Sequence, residues 1–408
     1  MKVANSWFDV CRRVLLVIVA CTVACAAAAQ KKDITTARDY VKKGNNLEKA
    51  EQLMQKLLSD SSNRCNAKIW NILFDAQRKQ YEQGNEKLYL KQKYDTASLF
   101  NIASRMFVTM ESYDSVVTKC KAEGKKMVDA RKSHAQLLNA IRPNLFGGGM
   151  FMIRHQKYAE GYRLLNLYID TAQQPLFSAY NYMEHDKRIP EAAYWAVYCA
   201  YKLGDSKKTL HHTYLALKDT AHEEQMLQYL SQTYYREGDT ARYVGTLHDG
   251  FARYPRSPFF FTRLADYYSG QLKWGEVLKL TDKALRHNPT DKLYRLTKAA
   301  VLLNTGDYQH SFAMSDSLLH ESDTISEAWL NAGLAKFNQG VSMDKDALYS
   351  VKKRRQILKC YEEALPYLEH YRKIRPDAKE RWGMPLYTIY LNLNRGKEFD
   401  EIDKLMKK

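Results

Sequence analysis

The sequence predicts an all-α fold, a solenoid of antiparallel helix pairs, on three observations. A residue pattern returns every 34 positions between residues 190 and 340. Small side chains recur in one column of the pattern, and mostly large ones recur in another. Two helices of about 13 residues and a short turn use about 34 residues, so this period is typical of stacked helical hairpins.

Glycine marks each period, and the residues before it repeat in type. The marks are Gly204, Gly238, Gly306 and Gly340, with Leu272 in the remaining place. Seven residues earlier stand Val197, Ser231, Ala265, Ala299 and Gly333, and three residues earlier stand Tyr201, Tyr235, Ser269, Leu303 and Phe337. Small residues let two crossing helices approach, and a left-handed glycine ends the first helix of a pair. Asp205, Asp239 and Asp307 follow three marks and are expected to cap the next helix.

These columns resemble those of the tetratricopeptide repeat (TPR) family. One unit carries the resemblance most fully, in Leu227-Gln-Tyr-Leu230-Ser231, Tyr234-Tyr235-Arg-Glu-Gly238-Asp239, Gly250-Phe251 and Pro255. The sequence departs from the family at Leu272, and it has the family's first-helix tryptophan only as Trp329. The resemblance covers residues 190–340 closely and residues 34–172 and 357–408 more loosely. It implies a right-handed superhelix that binds a protein or peptide in its concave groove.

Eight residues are candidates for the lining of that groove, counted from the turn glycines. They are Tyr194, Tyr198, Tyr201, Gln228, Gln232, Tyr235, Arg236 and Asp266. Tyrosine rings give rigid contact area, and their hydroxyls give direction, so the lining suits amphipathic contacts. A second interpretation stays open, in which these tyrosines only pack neighbouring helices. The Lys/Asn clamp with which some TPR proteins bind a C-terminal carboxylate does not stand at the matching positions.

The N-terminus predicts a secretory signal peptide over residues 1–29. Basic residues at positions 2, 12 and 13 precede an apolar run at 14–29, which ends in Ala27-Ala28-Ala29 before Gln30. A membrane helix needs about 20 apolar residues, more than this run supplies. We therefore expect an exported, periplasmic protein of a Gram-negative bacterium. Two alternatives are a membrane anchor and a lipid anchor at Cys21, within Ile18-Val19-Ala20-Cys21.

The charge balance allows two functions. The chain carries 63 Lys and Arg against 46 Asp and Glu, a net charge of +17. Because acids and bases alternate along most of the chain, we interpret the bases as solvated outer helix faces and expect no nucleic-acid partner. The predicted function is a non-catalytic scaffold or adaptor of the cell envelope that binds a partner protein or peptide, with peripheral association with the envelope. The alternative is a basic scaffold that binds an anionic polymer or envelope lipid.

Four cysteines follow the predicted signal peptide. They are Cys65, Cys120, Cys199 and Cys360, separated by 55 to 161 residues without metal-ligand spacing. An exported chain with four cysteines can hold two disulfides. Each repeat of a solenoid contacts only its neighbours, however, so we expect buried free thiols rather than bridges.

The chain divides into an N-terminal set of helix pairs at 30–172, a connection at 173–189, a regular array at 190–378 and capping helices at 379–408. The first pair is predicted as helices 34–43 and 47–58 around a turn at 44–46. A charged helix is predicted at 112–132. A pair at 135–172 carries Pro143 and Gly147-Gly148-Gly149 in its first helix. Since no strand or Gly-Lys-Ser/Thr ending accompanies this triplet, it predicts close helix packing rather than a phosphate loop. An insertion at 342–356 lengthens two helices and holds the basic run 352–355, interpreted as a solvated tip, with an anionic contact as the alternative.

No catalytic, metal or cofactor motif is found in the sequence. His211 and His212 are adjacent on a predicted helix, so their side chains are expected to point about 100° apart and to share no metal. His222-Glu223-Glu224 lacks a second histidine four residues after the first. The sequence therefore predicts neither enzyme activity nor a cofactor.

Overall fold

The computed structural model describes residues 28–120, 124–344 and 350–407, and these residues form helices joined by turns without a strand. The described residues divide into two compact units, one ending at Thr233 and the other starting at Tyr234, with the boundary inside one helix. The first unit contains α1 (28–43), α2 (Leu47–Ser59), α3 (Ala67–Tyr89), α4 (Thr96–Val117), α5 (Gly124–Ile141), α6 (Pro143–Arg154), α7 (Tyr158–Asp170), α8 (Tyr182–His185), α9 (Ile189–Lys202), α10 (Ser206–His211) and α11 (Thr213–Ala216).

The boundary helix is α12 (Glu223–Arg236). The second unit continues with α13 (Thr240–Arg253), α14 (Pro258–Gly270), α15 (Trp274–His287), α16 (Lys292–Thr305), α17 (Tyr308–Glu321), α18 (Ser326–Asp344), α19 (Val351–Ile374), α20 (Lys379–Asn392) and α21 (Gly396–Met406). Successive helices pack against each other as antiparallel pairs in each unit, which confirms the predicted all-α class of helical hairpins. The described part of the chain contains no helix long and apolar enough to span a bilayer, and the predicted signal peptide lies almost wholly outside the described residues.

The turns between paired helices follow the predicted pattern at four of the five marks. Gly204, Gly238 and Gly306 have φ of 72°, 72° and 87°, the left-handed region that ends a helix. Leu272 takes the same conformation, with φ 57°, although it carries a side chain. Gly340 does not end its helix, and that assignment is wrong. It lies buried inside α18, where a side chain would meet the ring of Tyr361 at 2.8 Å.

The predicted aspartate caps are confirmed. The side chains of Asp205, Asp239 and Asp307 accept hydrogen bonds from the backbone N–H three residues later, at 3.0, 2.9 and 3.3 Å. Each bond satisfies a backbone donor that the start of a helix leaves without a partner.

Two predicted helix assignments are wrong in the first unit, the start of the pair at 135–172 and the charged helix at 112–132. Residues 135–141 belong to α5, and a new helix starts at Pro143, because proline lacks an N–H and fits the first helical position. The second helix of the first regular repeat breaks into α10 and α11 at His212, which has φ −106° and ψ 18°. The predicted charged helix at 112–132 is instead the end of α4 and the start of α5.

The predicted connection at 173–189 is packed rather than extended. Two 3₁₀ helices (Thr171–Gln173 and Pro175–Tyr180) and α8 follow α7. Phe177 of this segment is 1% exposed, and its ring centroid lies 5.8 Å from that of Phe107 on α4. The connection is therefore part of the core of the first unit.

A buried arginine joins this connection to the helices around it. Arg142, 4% exposed, lies between the rings of Tyr168 and Tyr182, 3.8 and 4.0 Å from their centroids. It pairs with Asp186 and donates a hydrogen bond to the carbonyl oxygen of Tyr168 at 3.0 Å. The Tyr168 hydroxyl donates to the same Asp186 carboxylate at 2.6 Å. Burial opposes ionisation of Asp186, but these hydrogen bonds hold its pKa below the usual value.

The expectation of four free thiols is wrong for one pair. Cys65 and Cys120 form a disulfide, with their Cα atoms 5.9 Å apart, whereas Cys199 and Cys360 are free and buried as expected. Cys65 precedes α3 and Cys120 follows α4. In a hairpin of two antiparallel helices the beginning of the first meets the end of the second, so 55 residues of separation still permit contact within one repeat.

Glycines at the crossings between helices pack closely, as the sequence predicts. A Cβ on Gly148 would meet Phe100 at 2.7 Å, and Gly149 and Gly250 are similarly closed by Leu165 and Phe260. Close packing of the glycine triplet at 147–149 is thus confirmed for two of its members, while Gly147 faces open space.

Two glycines of α13 give a matched test of this packing. We expect Gly250→Ala to lower the free energy of unfolding by about 1–3 kcal/mol, because its Cβ would overlap the buried Phe260 ring. Gly245→Ala, on the same helix, meets no atom within 4 Å and should raise that free energy by up to about 1 kcal/mol. Urea unfolding of both variants measures the difference. Equal effects of the two substitutions would contradict the assigned packing.

A second stability test concerns Glu111 on α4. Burial, and then the charge of Asp170, raise its pKa to about 8 from an ordinary value of 4.5. Its Oε1 is buried without a hydrogen-bond partner in the described part of the chain. Because the folded pKa is the higher one, the stabilising effect of the proton is complete below about pH 4.5 and is lost as the pH rises through about 8.

We therefore expect Glu111 by itself to lower the free energy of unfolding by about 4 kcal/mol between pH 5 and pH 9. The neutral His212, whose pKa is lowered to about 4, adds stability as the pH rises towards 6.5 and offsets part of this fall in the wild type. Glu111→Gln should remove the Glu111 contribution from the measured pH dependence, as followed by urea unfolding at pH 5, 7 and 9. The exposed Glu160 on α7 gives the control, since Glu160→Gln should keep the slope. A slope that is unchanged in the Glu111 variant would disprove the assignment.

Candidate partner-binding surface

In the first unit, α9 and the part of α12 before Tyr234 hold a cluster of aromatic rings. Tyr194, Tyr198 and Tyr201 are spaced at i, i+4 and i+7 and so share one face of α9. Tyr194 stacks on His222 with centroids 4.1 Å apart, and Tyr201 stacks on Tyr229 of α12 at 4.4 Å. These contacts join the two helices through rings, which supports the interpretation of packing tyrosines for part of the set.

Tyr198 lies between Tyr194 and Tyr201 in this cluster, with its ring centroid 6.1 Å from that of Tyr229. It is half-buried, and its ring meets those of Tyr158 and Trp195 edge-on, at 5.9 and 5.6 Å. The Lys202 Nζ lies 5.5 Å from the ring centroid. Burial raises the pKa of the Tyr198 hydroxyl, so the group stays neutral at physiological pH and acts as a hydrogen-bonding group.

The two predicted glutamines lie on α12 beside these rings and already form hydrogen bonds. The Tyr201 hydroxyl donates to Gln232 Oε1. Gln228 donates to Glu224 at 3.3 Å and accepts from Gln225 at 3.1 Å. Both glutamines are half-buried, and these hydrogen bonds restrict the freedom of their side chains.

The eight predicted groove residues thus divide into three groups. Tyr194 is buried, at 4% exposure, and contributes to the core. The half-buried group is Tyr198, Tyr201, Gln228 and Gln232, all in the first unit. The exposed group is Tyr235, Arg236 and Asp266, all in the second unit. Tyr235 is 68% exposed and contacts the ring of Tyr243 with centroids 5.2 Å apart.

The basic run at 352–355 lies at the start of α19. Lys352 and Arg355 are exposed, whereas Arg354 donates a hydrogen bond to Asn392 Oδ1 at 2.9 Å. One base of the four therefore serves the packing of α19 on α20.

The histidine pair is arranged differently from the expectation. The ring centroids of His211 and His212 lie 4.3 Å apart rather than on diverging faces, because the helix breaks between them. His212 is buried, and its Nε2 lies 2.8 Å from Asn166 Oδ1. Burial, and then the neighbouring His211, lower the pKa of His212 to about 4, so its ring is neutral.

The described residues contain no cluster of three or more His, Cys, Asp or Glu side chains able to hold a metal ion. Burial raises the pKa of the Cys199 thiol to about 12, which keeps it protonated and unreactive at neutral pH.

A second concave feature, which sequence reasoning missed, lies where the turn between α1 and α2 meets the ends of α3 and α4. It is a groove of about 700 Å³. Its lining is polar and includes Asn45, Gln52, Gln55, Gln80, Gln83 and Arg105. Glutamines at 52, 55, 80 and 83 were visible in the sequence, but only the packing of α2 on α3 brings them to one cavity.

The repeat spacing, the left-handed turns and the small-residue crossings define a TPR-like fold. No protein-family model matches the sequence, and no curated protein matches it. Among solved structures, the C-terminal part of a TPR repeat-containing protein of Cytophaga hutchinsonii is 12% identical, with 64% of this chain and 93% of that chain covered and a TM-score of 0.44.

Two further solved structures are similar at lower scores. Yeast Tom70 is 14% identical, with 86% of this chain and 90% of that chain covered and a TM-score of 0.30. A tetratricopeptide repeat protein of Parabacteroides merdae is 12% identical, with 70% of this chain and 93% of that chain covered and a TM-score of 0.28.

Proposed function

We propose that this protein is a non-catalytic scaffold that binds a partner protein or peptide through the surface of α9 and α12. The observation that supports it is the half-buried set Tyr198, Gln228 and Gln232 on a floor of stacked rings. The floor holds these side chains in place before binding, so a partner loses less conformational entropy on ordering them. Aromatic rings with polar tips are the side chains that contribute most at such interfaces.

The test is affinity capture from the native cell envelope with the full chain as bait. We expect a partner that Tyr198→Ala weakens at least tenfold when the purified pair is measured by calorimetry, since central aromatic anchors cost about 2 kcal/mol or more. Tyr214, 73% exposed on α11, supplies the control, and Tyr214→Ala should bind normally. Retention of every captured protein by the Tyr198 variant, with a normal circular dichroism spectrum, would refute the proposal.

We further propose that the chain works outside the cytoplasm, in the periplasm. The signal-like residues 1–29 motivate this proposal, and the Cys65–Cys120 disulfide supports it, since such bridges persist in oxidising compartments. Mass spectrometry of the protein from fractionated cells should show Gln30 at the N-terminus. A chain that begins at residue 1, or a lipid on Cys21, would correct this assignment.

The net charge of +17 favours one alternative, a scaffold for an anionic polymer or envelope lipid. Binding to heparin or to vesicles with anionic lipids would then fall steeply as the salt concentration rises. Salt-insensitive binding to one protein favours the first proposal instead.

A further inference from the structure

The polar groove of the first unit, named above, is organised by one buried carboxylate. Glu51 on α2 is 6% exposed. Its oxygens accept hydrogen bonds from the amide nitrogens of Gln77, Gln80 and Gln55 at 3.0, 2.9 and 3.3 Å. Arg105 of α4 donates to the same carboxylate through Nε at 2.8 Å. One acid therefore holds side chains from three helices.

This arrangement sets the orientation of the amides that line the groove. A carboxylate only accepts hydrogen bonds, so Gln55 and Gln80 must turn their nitrogens towards Glu51. Gln83 is held in the same way, since its nitrogen donates to the carbonyl oxygen of Gly44 at 2.9 Å. Each of these three glutamines keeps its carbonyl oxygen and one N–H for other partners. Within the described residues, no hydrogen bond uses those carbonyl oxygens.

The groove therefore presents fixed donors and acceptors side by side. Hydroxyl groups match such pairs, because each hydroxyl donates one hydrogen bond and accepts others. The charges of the lining nearly cancel, with Lys49, Lys87 and Arg105 against Glu48 and Glu51. A strongly charged ligand is disfavoured by that balance.

Few apolar side chains line the groove, namely Leu47, Tyr94 and Ile102. A peptide gains its specificity from pockets for side chains, and this lining offers no apolar pocket for one. The volume of about 700 Å³ lies within the range of small-ligand sites. We propose that this groove binds a neutral oligosaccharide through its hydroxyl groups.

The site is independent of the α9–α12 surface, since it uses α2, α3 and α4. The partner-capture test can fail while the groove binds sugar, and the reverse also holds. This groove extends the proposed function from protein binding to attachment of the scaffold to a neutral glycan.

The test begins with the full chain on an array of neutral and acidic oligosaccharides. The neutral sugar that binds most tightly is then titrated by calorimetry. We expect the double substitution Gln55→Leu with Gln83→Leu to weaken binding at least tenfold, from the loss of at least two hydrogen bonds of about 1 kcal/mol each. Glu51 and Arg105 stay intact in this variant, so the ion pair that joins α2 to α4 is kept.

Gln136→Leu gives the matched control, because Gln136 is exposed on α5, outside the groove. It should bind the sugar as the wild type does. Should the double variant unfold, Gln52→Leu alone, at an exposed lining position, should weaken binding about fivefold. The proposal is overturned if no neutral oligosaccharide is retained, if only acidic ones are, if a capped hydrophilic hexapeptide binds in the groove instead, or if the variants bind normally.

Discussion

Replacing Arg142 by methionine should lower the free energy of unfolding of the first unit by about 3–5 kcal/mol. Methionine fills a similar volume, but it leaves the Asp186 carboxylate without its cation. It also removes the donor to the Tyr168 carbonyl oxygen and the charge between the rings of Tyr168 and Tyr182. Urea unfolding followed by circular dichroism measures the loss.

The partner of Arg142 allows a double-mutant cycle. Asp186→Asn alone leaves the buried guanidinium without its counterion, whereas adding it to Arg142→Met removes a carboxylate that is already unpaired. We expect the sum of the two single-variant losses in free energy of unfolding to exceed the loss in the double variant by about 1–3 kcal/mol. Arg154→Met, at the exposed end of α6, should change the stability by no more than about 0.5 kcal/mol. Additive losses would mean that the pair does not act as one network.

Removal of the Cys65–Cys120 disulfide should have an effect of similar size. The bridge closes a loop of 55 residues, and the entropy of the unfolded chain that it removes corresponds to about 4 kcal/mol. The double variant Cys65→Ala with Cys120→Ala should lose this amount. Because α3 and α4 also pack along their length, we expect the variant to remain folded at 25 °C.

Reductant supplies the control for this second experiment. Dithiothreitol should destabilise the wild type and leave the double variant unchanged, since Cys199 and Cys360 are buried free thiols. A wild type whose unfolding does not respond to reductant would argue against the bridge in solution.

The agreement between sequence and fold is best where the interactions are local. Asp205, Asp239 and Asp307 cap their helices as expected, because a cap needs only the residue and the next turn of backbone. Leu272 shows the strength of the repeat, since it takes the left-handed turn conformation without being glycine. The same reasoning failed for Gly340, where the neighbouring Tyr361 of α19 requires a residue without a side chain inside a continuous helix.

The candidate binding surface was likewise predictable only in part. The helical spacing of Tyr194, Tyr198 and Tyr201 places them on one face of α9, as the sequence predicts. Their exposures differ, since Tyr194, on which His222 stacks, is buried, whereas Tyr198 and Tyr201 are half-buried. Periodicity reports which residues share a face, but it does not report what packs against each of them.

By itself, the sequence determined the helical class, the 34-residue period, the capping aspartates and the glycine packing at 148–149. These follow from side-chain size, backbone conformation and hydrogen bonds within a few residues. Only the tertiary structure decided the Cys65–Cys120 bridge, the Arg142–Asp186 network and the glutamine groove around Glu51. Each of them depends on which residues from distant parts of the chain meet, and that is set by the packing of whole helices.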